Sequence, residues 1–288
     1  MKLRKAAAEL RRGMALARSG GPSAGLRFVG EEVVGNVWLR CVALIPQARG
    51  DGVRCNLCGW RGRRFLTHCA VGYVNRNAFC PRCRSYSRHR GFAWLWSEHL
   101  AASFAHLRTG PGLKLAFAPE QSLVRLLEVA LGPIAGAGLR LRAPEVTHRE
   151  DLQHLSFADG SVDFVSCFHV LEHVPDDRRA LRELHRVLSA QGALILCVPI
   201  TFGRAETVDF GGPDPRLNDH CFDYGEDFPD RLTEAGFSGE SYRIDELVPA
   251  ALHRELALAS DIFFVLRRAE PDREAHIERR TAAQLGRS

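Results

Sequence analysis

The sequence predicts an α/β fold with a parallel sheet, preceded by a small cysteine-rich module. Residues 155–199 alternate strand, helix and strand patterns with short connections, which is typical of a βαβ unit. Upstream, the pattern Cys-x-x-Cys occurs twice, at 55–58 and at 80–83. The 288 residues are enough for one large and one small domain, and 45% hydrophobic with 25% charged residues is ordinary for a globular protein. No apolar run is long enough to cross a bilayer.

The βαβ unit has a clear pattern for each of its parts. The apolar run from Val162 to Val170 predicts a strand that is buried on both faces. Pro175 falls where the first turn of a helix begins, and apolar residues then recur at helical spacing. We expect Gly192 to end this helix, and a second buried strand to follow it up to Pro199.

Positive charge is concentrated in the N-terminal part of the chain. Residues 1–18 carry six Lys or Arg against one acid and predict a basic amphipathic helix, while residues 54–90 carry nine Arg and no acid. Because the net charge is only +5, the rest of the chain is net acidic. Residues 1–18 lack the apolar core of a secretion signal, and a basic surface helix is favoured over an organelle transit peptide. We therefore expect a cytoplasmic protein without membrane contact.

The two Cys-x-x-Cys pairs predict a zinc ribbon. Cys55 and Cys58 are separated by 21 residues from Cys80 and Cys83, a spacing close to that of four-cysteine zinc sites. Each pair can aim two thiolates at one tetrahedral ion, with Gly59 providing a left-handed turn after the first pair. A redox pair or unpaired thiols are the alternatives. His68 and Cys69 are spare ligands, and the remaining cysteines are expected to be buried small residues: Cys41, Cys167, Cys197 and Cys221.

Basic and aromatic residues are interleaved after the second cysteine pair. Arg88-His89-Arg90 leads into a run that contains Phe92, Trp94 and Trp96. Such a run can bind the phosphates and bases of RNA. The alternative, which we favour, is that the arginines pair with the acidic domain while the apolar side chains pack the two domains together.

Three consecutive segments carry a resemblance to a known family. They are Asp151–Val165, His169–Asp177 with the sequence His-Val-Leu-Glu-His-Val-Pro-Asp-Asp, and Leu181–Leu188. In this order they resemble the central part of class I S-adenosylmethionine-dependent methyltransferases, close to the group called type 11, over about residues 113–237. The resemblance implies a Rossmann-like sheet of seven strands, the last antiparallel, with the cofactor at its carboxyl edge. A similar Cys-Pro-x-Cys and Arg-His-Arg run precedes the methyltransferase domain in a set of type 11-like proteins.

The resemblance also implies where S-adenosylmethionine binds. The turn after the first strand, predicted over 113–118, is Ala118-Pro119-Glu120, whereas most class I methyltransferases have glycine there because the backbone approaches the cofactor. After the next strand, Arg142 stands in place of the usual ribose-binding acid, and Glu145 follows. Asp151 matches the acid beside adenine, with a helix cap as the alternative. The implied cofactor-binding residues are Ala118, Pro119, Glu120, Glu145, Asp151, Leu152 and Phe168.

His169 and His220 are the candidate catalytic residues. His169 follows the fourth strand, where open α/β sheets bind ligands, and it can act as a base on the acceptor or serve only in packing. The segment 201–227 is a long loop that would lie over the acceptor pocket, so that His220 and Tyr224 are candidates for substrate contact. A stabilising insertion is the alternative for this loop.

A metalloprotease motif overlaps the first of these residues. His169, Glu172 and His173 spell His-x-x-Glu-His, the zinc motif of one protease class. That chemistry requires both histidines on one face of an established helix, and Pro175 leaves no room for it. We therefore reject the protease interpretation and expect His173 to be structural.

The sequence predicts a methyltransferase whose acceptor is an unidentified small molecule or RNA. RNA would bind through the basic zinc ribbon. The alternative is a non-catalytic zinc-ribbon binding module with a degenerate cofactor site. The predicted organisation is a basic helix and linker over 1–50, a zinc ribbon over 51–90, a connecting helix over 91–110, a methyltransferase domain over 111–270 and a charged tail over 271–288.

Overall fold

The cysteine-rich module consists of two small hairpins in a computed structural model. The structure describes residues 14, 17–18, 21–35, 52–70, 73–139, 146–214, 217–270 and 274–285. Antiparallel pairs are formed by β1 (Val53–Arg54) with β2 (Arg61–Gly62), and by β3 (Leu66–Ala70) with β4 (Tyr73–Phe79). Helix α1 (Pro22–Arg27) continues into a wider helical turn over Phe28–Gly35. Most of the predicted helix over 1–18 lies outside the described residues.

A mixed sheet of eight strands forms the centre of the described chain, in the order β14-β12-β13-β9-β8-β5-β6-β7. The strands β7, β6, β5, β8 and β9 run parallel, and β13 is antiparallel to β9. This agrees with the predicted parallel sheet with an antiparallel last strand. The bounds are β5 Leu113–Phe117, β6 Ala135–Gly138, β7 His148–Arg149, β8 Val162–Phe168, β9 Leu188–Cys197, β12 Phe237–Arg243, β13 Ile262–Arg268 and β14 Ile277–Arg280.

The sheet differs from the predicted one at its far edge and at β9. Strand β14 comes from the predicted charged tail and pairs in parallel with β12, which makes the described sheet eight-stranded instead of seven-stranded. The helix before β9 ends at Val187 and the strand begins at Leu188, so Gly192 lies within β9 and does not end the helix. A Cβ at Gly192 would come within 2.9 Å of the Val162 carbonyl, so close strand packing explains this glycine.

Helices cover both faces of the sheet, as expected for parallel strands joined by crossovers. On one face, Leu181 and Leu184 of α4 (Asp177–Val187) and Phe228 of α5 (Phe228–Glu234) are buried in the same apolar cluster as Leu194 of β9. The other face is covered by α2 and α3. The helices are α2 Ser87–Leu95, α3 Gln121–Leu131, α4 Asp177–Val187, α5 Phe228–Glu234, α6 Ile244–Leu247, α7 Ala250–Glu255 and α8 Ala282–Leu285. A separate hairpin follows β9, formed by β10 (Val208–Asp214) and β11 (His220–Asp223).

Helix α2 and its continuation join the cysteine module to the sheet. Phe92, Leu95 and Leu100 are buried in one apolar cluster with Phe168 of β8 and Phe263 of β13. The ring of Phe92 lies 5.1 Å from that of Phe168, edge to face. These apolar side chains therefore pack the helix that follows the cysteine module onto the sheet. In the part of the chain that the structure describes, no helix is long and apolar enough to span a bilayer.

Candidate active site and cysteine cluster

The four cysteines of the two Cys-x-x-Cys pairs converge on one point. The Sγ atoms of Cys55, Cys58, Cys80 and Cys83 all lie within 4.8 Å of one another. Sγ of Cys55 is 3.6 Å from that of Cys83, and Sγ of Cys58 is 3.6 Å from that of Cys80. A tetrahedral zinc ion with Zn–S bonds of about 2.3 Å separates its sulfur ligands by about 3.8 Å. The cluster therefore has the size and the donor set of a four-thiolate zinc site.

Matching turns hold the two pairs. The N–H of Gly59 donates to the carbonyl of Cys55, and the N–H of Arg84 donates to the carbonyl of Cys80, both at 2.9 Å. Gly59 and Arg84 have φ of +71° and +64°, so the left-handed turn that the sequence predicts at Gly59 is confirmed. The second turn adopts the same backbone without glycine, and the Arg84 guanidinium lies over the ring of Phe79.

Arg90 connects the cysteine module to the segment between α7 and β13. Its side chain is fully buried, and its guanidinium lies 4.1 Å from the ring centroid of Phe65. It donates to the carbonyl of Ser85 at 2.7 Å on one side, and to the carbonyls of Leu256 and Ala257 at 2.7 and 3.0 Å on the other. Arg90 is thus occupied by protein carbonyls, which supports the packing interpretation of the Arg-His-Arg run.

Glu120 binds the other two members of that run. Its carboxylate accepts hydrogen bonds from Arg88 at 2.7 Å and from Nε2 of His89 at 2.6 Å. Nδ1 of His89 accepts from the N–H of Tyr86 at 3.1 Å and lies 2.9 Å from the Ser122 hydroxyl, so the ring proton is on Nε2. Burial lowers the pKa of His89, which keeps its ring neutral. Glu120 is thus tied into this network, and its expected role in cofactor binding stays a prediction.

A cleft of about 350 Å³ lies between the cysteine module and the start of α3. Glu120 forms part of its wall, whereas the predicted cofactor edge at Ala118 and His169 does not. Its lining residues are Cys83, Arg84, Tyr86, Glu120, Gln121 and Ser122.

Ala118 and His169 follow neighbouring strands at the same edge of the sheet. Phe117 at the end of β5 pairs in parallel with Cys167 of β8, so the two residues that follow these strands are close. Both have a left-handed backbone, with φ of +45° at Ala118 and +54° at His169. This conformation explains why glycine is usual at the first position, and alanine is the smallest side chain that can replace it. Ala118 is exposed and His169 half-buried, so both are accessible.

The other predicted cofactor residues lie in different environments. Asp151 is half-buried after β7, and its Oδ1 accepts hydrogen bonds from the backbone N–H and the side-chain amide of Gln153 at 3.0 and 3.2 Å. Leu152 and Phe168 are each only 4% exposed and belong to the core. Arg142 and the predicted Glu145 lie outside the described residues.

His169 has a carboxylate partner that the sequence analysis did not assign. Its Nδ1 lies 3.2 Å from Oε1 of Glu172, which is fully buried. Burial raises the pKa of Glu172, but the nearby imidazole of His169 outweighs it, and the net shift is downward. The carboxylate therefore stays ionised and orients the ring of His169. Both residues belong to the His-x-x-Glu-His motif, in which Glu172 follows His169 by three positions.

His173 and His220 complete this edge. Donor atoms of Glu172, His173 and His220 all lie within 4.8 Å of one another, and burial lowers the pKa of His220. The motif forms only a short 3₁₀ turn over Leu171–His173, so the absence of a protease helix is as predicted. The side chain of His173 is exposed beside His220, and its expected structural role stays a prediction.

Tyr224 is a core residue, so its predicted contact with substrate is wrong. Its side chain is fully buried, stacks 5.7 Å from the ring of Phe222 and donates to Asp177 at 3.1 Å. Asp177 also accepts from Arg231 at 2.8 Å. Along β11, His220 at the start of the strand is half-buried, whereas Cys221 and Phe222 are buried. Cys167, Cys197 and Cys221 are also buried, as predicted, whereas Cys41 lies outside the described residues.

Comparisons with known proteins agree with this geometry. Residues 109–196 match the family described as a methyltransferase domain. A malonyl-[acyl-carrier protein] O-methyltransferase from Halorhodospira halophila is 31% identical over 141 residues, which are 44% of this chain and 47% of that protein. A probable S-adenosylmethionine-dependent methyltransferase from Mycobacterium tuberculosis is 38% identical over 81 residues, 27% of this chain and 30% of that protein. The chain thus spans less than half the length of these curated relatives.

Solved structures include a putative sarcosine dimethylglycine methyltransferase from Galdieria sulphuraria. It is 16% identical, has a TM-score of 0.45, and the match covers 62% of this chain and 85% of that one. Residues 109–196 are thus similar to a methyltransferase domain, and parts of the chain are similar to curated methyltransferases.

Proposed function

We propose that the protein transfers a methyl group from S-adenosylmethionine to an acceptor, and that it carries a structural zinc ion in the cysteine cluster. The observation that carries the proposal is the accessible carboxyl edge at Ala118 and His169, which belongs to the segment that matches a methyltransferase domain. Open α/β sheets bind their ligands at this edge.

The sulfonium cofactor supplies an activated methyl group, so the protein has to bind, align and deprotonate. Ala118 would offer its backbone at the turn, where its small side chain permits close approach. Asp151 retains a second carboxylate oxygen beside the two hydrogen bonds on Oδ1, and this oxygen would accept from the exocyclic amine of adenine. The cofactor would fit at this edge because the backbone is left-handed at Ala118 and at His169, the residues that follow β5 and β8. This conformation would turn the chain away from the edge of the sheet.

His169 would act as the base. With Nδ1 beside the Glu172 carboxylate, Nε2 would carry the lone pair that can take a proton from the acceptor. The buried carboxylate would stabilise the imidazolium that forms. His220 would contact the acceptor from β11, and Glu120, Phe168 and Leu152 would hold the frame around the site.

The zinc ion would be structural because four thiolates leave no open position for a substrate. The buried residues of the cysteine module form two small clusters: Val53, Cys55, Phe65 and Cys80, and Leu66, Ala78 and Phe79. A module of this size usually requires such a cross-link.

Titration calorimetry with S-adenosylmethionine tests the proposed function. Zinc-loaded protein should give a binding isotherm, and Asp151→Asn should weaken binding about fivefold because a charged acceptor is lost. Asp159→Asn is the matched control, since Asp159 pairs with Arg186 at an exposed turn. Absence of binding heat from the wild type at high concentration would instead favour the non-catalytic module.

RNA is a second candidate acceptor because the cysteine module exposes Arg63, Arg64 and Arg82 in a segment without acids. Binding through phosphates would weaken steeply with salt. The anisotropy of a labelled single-stranded RNA should therefore report affinity that falls with salt, and Arg63→Ala with Arg64→Ala should lower the affinity and the salt slope. Arg125→Ala, on the exposed side of α3, serves as the control. No binding at low salt would remove RNA as the acceptor.

A further inference from the structure

A second group of metal-ligand side chains lies at the carboxyl edge of the sheet, apart from the cysteine cluster. Glu172 and His173 come from the 3₁₀ turn after β8, and His220 begins β11. One donor atom from each of the three lies within 4.8 Å of the other two. We propose that these residues bind a divalent transition-metal ion.

Glu172 carries the argument. Its side chain has no solvent exposure, and neither carboxylate oxygen has a partner of good hydrogen-bond geometry in the described residues. Its closest charged neighbour, Nδ1 of His169, is 3.2 Å from Oε1 and leaves Oε2 without a partner. A carboxylate oxygen that is buried without a partner is unfavourable in a protein interior. A cation beside Oε2 would remove that penalty.

His173 is oriented as a metal ligand. Its Nδ1 lies 3.2 Å from the carbonyl oxygen of Asp219, which can only accept a hydrogen bond, so Nδ1 carries the ring proton. The lone pair is therefore on Nε2. Histidines that bind metals commonly donate their other ring N–H to a backbone carbonyl in this way.

His220 meets His173 edge to face. The ring centroids are 4.7 Å apart and the ring planes are inclined by 86°. Both side chains are accessible, whereas Glu172 is buried, so an ion from solvent can reach the carboxylate between the imidazoles. The backbone that delivers His220 is left-handed at Asn218 and Asp219, which fixes the direction of entry into β11.

The donor set defines the class of ion. Two imidazoles with one carboxylate suit zinc, iron, cobalt or manganese, and leave open positions for further ligands. Magnesium and calcium prefer oxygen donors alone. Bonds of about 2.1 Å in tetrahedral geometry place donor atoms about 3.4 Å apart. The three donor atoms already lie within 4.8 Å of one another, so binding requires at most a small movement of the side chains.

The role of the ion rests on the proposed methyltransferase function. An ion at this edge would lower the pKa of an acceptor hydroxyl that reaches its open position. The hydroxyl proton would pass to Nε2 of His169, the oxygen would form a bond to the methyl carbon, and the carbon–sulfur bond would break to release neutral S-adenosylhomocysteine. The site therefore favours an oxygen acceptor.

Cobalt binding tests the site directly. Full-length protein is first loaded with zinc and shown by metal analysis to hold about one zinc per chain, and Co²⁺ is then added while visible absorption and calorimetry are recorded. We expect a second equivalent to bind with weak d–d bands and without thiolate-to-cobalt charge transfer. His173→Ala, His220→Ala and Glu172→Gln should each weaken this binding at least tenfold.

The controls separate ligand loss from misfolding and from metal exchange. His106→Ala, an exposed histidine on a different surface, should bind Co²⁺ as the wild type does. Thermal unfolding followed by circular dichroism checks each variant, and the accessible His173 and His220 positions keep the test valid if Glu172→Gln does not fold. No second equivalent, binding unchanged by His220→Ala, or charge-transfer bands that report exchange at the cysteines would each overturn the inference. Cobalt binding without any S-adenosylmethionine binding would leave the inference standing and refute the proposed function.

Discussion

Glu120 and His89 are joined by a 2.6 Å hydrogen bond that ties the start of α3 to α2. Arg88 adds a second bond to the same carboxylate oxygen at 2.7 Å. Two short motifs that lie about 30 residues apart, Arg-His-Arg and Ala-Pro-Glu, are therefore one structural unit. Because Glu120 follows the left-handed turn at Ala118, α2 positions that turn through this carboxylate.

Glu120→Gln should destabilise the protein by about 2 kcal/mol. The substitution keeps the shape of the side chain but removes the charge that Arg88 and His89 face, and a hydrogen bond to a charged group typically contributes about 1.5–3 kcal/mol. Urea unfolding followed by fluorescence measures the loss. Glu128→Gln, exposed on the same helix, should change the free energy of unfolding by less than about 0.5 kcal/mol. Equal effects of the two substitutions would contradict the role of the network.

The stability that Glu120 contributes should disappear in acid. Burial raises the pKa of Glu120, but the hydrogen bond from His89 and the charge and hydrogen bonds of Arg88 outweigh it and lower the pKa from 4.5 to about 2. A lowered pKa stabilises the fold in full above the ordinary pKa, and the contribution is lost as the pH falls through the folded-state value. The difference in unfolding free energy between wild type and Glu120→Gln should therefore narrow from pH 4.5 towards pH 2. A difference that is constant over this range would show that the carboxylate is not held ionised.

Cys58→Ser should abolish zinc binding and unfold the cysteine module. Three thiolates and a hydroxyl hold zinc far less well than four thiolates, and metal binding supplies the folding free energy of small zinc modules. Metal analysis should fall from about one zinc per chain to none, with new tryptic cleavage at the arginines of residues 52–86. Cys221→Ser, at a buried cysteine outside the cluster, should keep its zinc. A metal-free, protease-resistant wild type would disprove the zinc site.

Ala118→Gly should stabilise the protein by about 0.5–1 kcal/mol. Ala118 has φ of +45°, and a left-handed backbone is unfavourable by about 1–2 kcal/mol for an L-residue, more than the entropy that glycine adds to the unfolded state. Chemical denaturation gives the comparison. Ala116→Gly, two residues earlier within β5, is the matched control and should destabilise by about 1 kcal/mol. If both substitutions lower the free energy of unfolding, the backbone at Ala118 is not left-handed.

Periodicity was sufficient to predict the buried parallel strand β8, and spacing was sufficient to predict the cysteine cluster. Val162–Phe168 was predictable because a parallel strand buried on both faces is a short apolar run, and Cys55 to Cys83 because ligand spacing is local information. Strand β14 could not be predicted, because Ile277–Arg280 has three charged residues in four and joins the sheet only at its open edge. Such an edge accepts a polar strand through backbone hydrogen bonds.

The site was predictable only where one segment contains both partners. The pair His169 and Glu172 lies within a single motif, so its spacing contained the information that they meet. Glu120 was assigned to the cofactor because the local turn gave no sign of α2, 31 residues earlier in sequence. The pattern around Tyr224 predicts a loop. Only the contact between its ring and Phe228 of α5 shows that Tyr224 belongs to the core.

Arg90 has a practical consequence for anyone who wishes to shorten the protein. The predicted border between zinc ribbon and catalytic domain falls at residue 90, yet its guanidinium donates to carbonyls on both sides of that border. A fragment that begins at residue 91 would expose the carbonyls of Leu256 and Ala257 and leave a void over α7. A shortened protein should therefore begin no later than residue 52. In a chimera, the cysteine module and the sheet that follows it should come from the same protein.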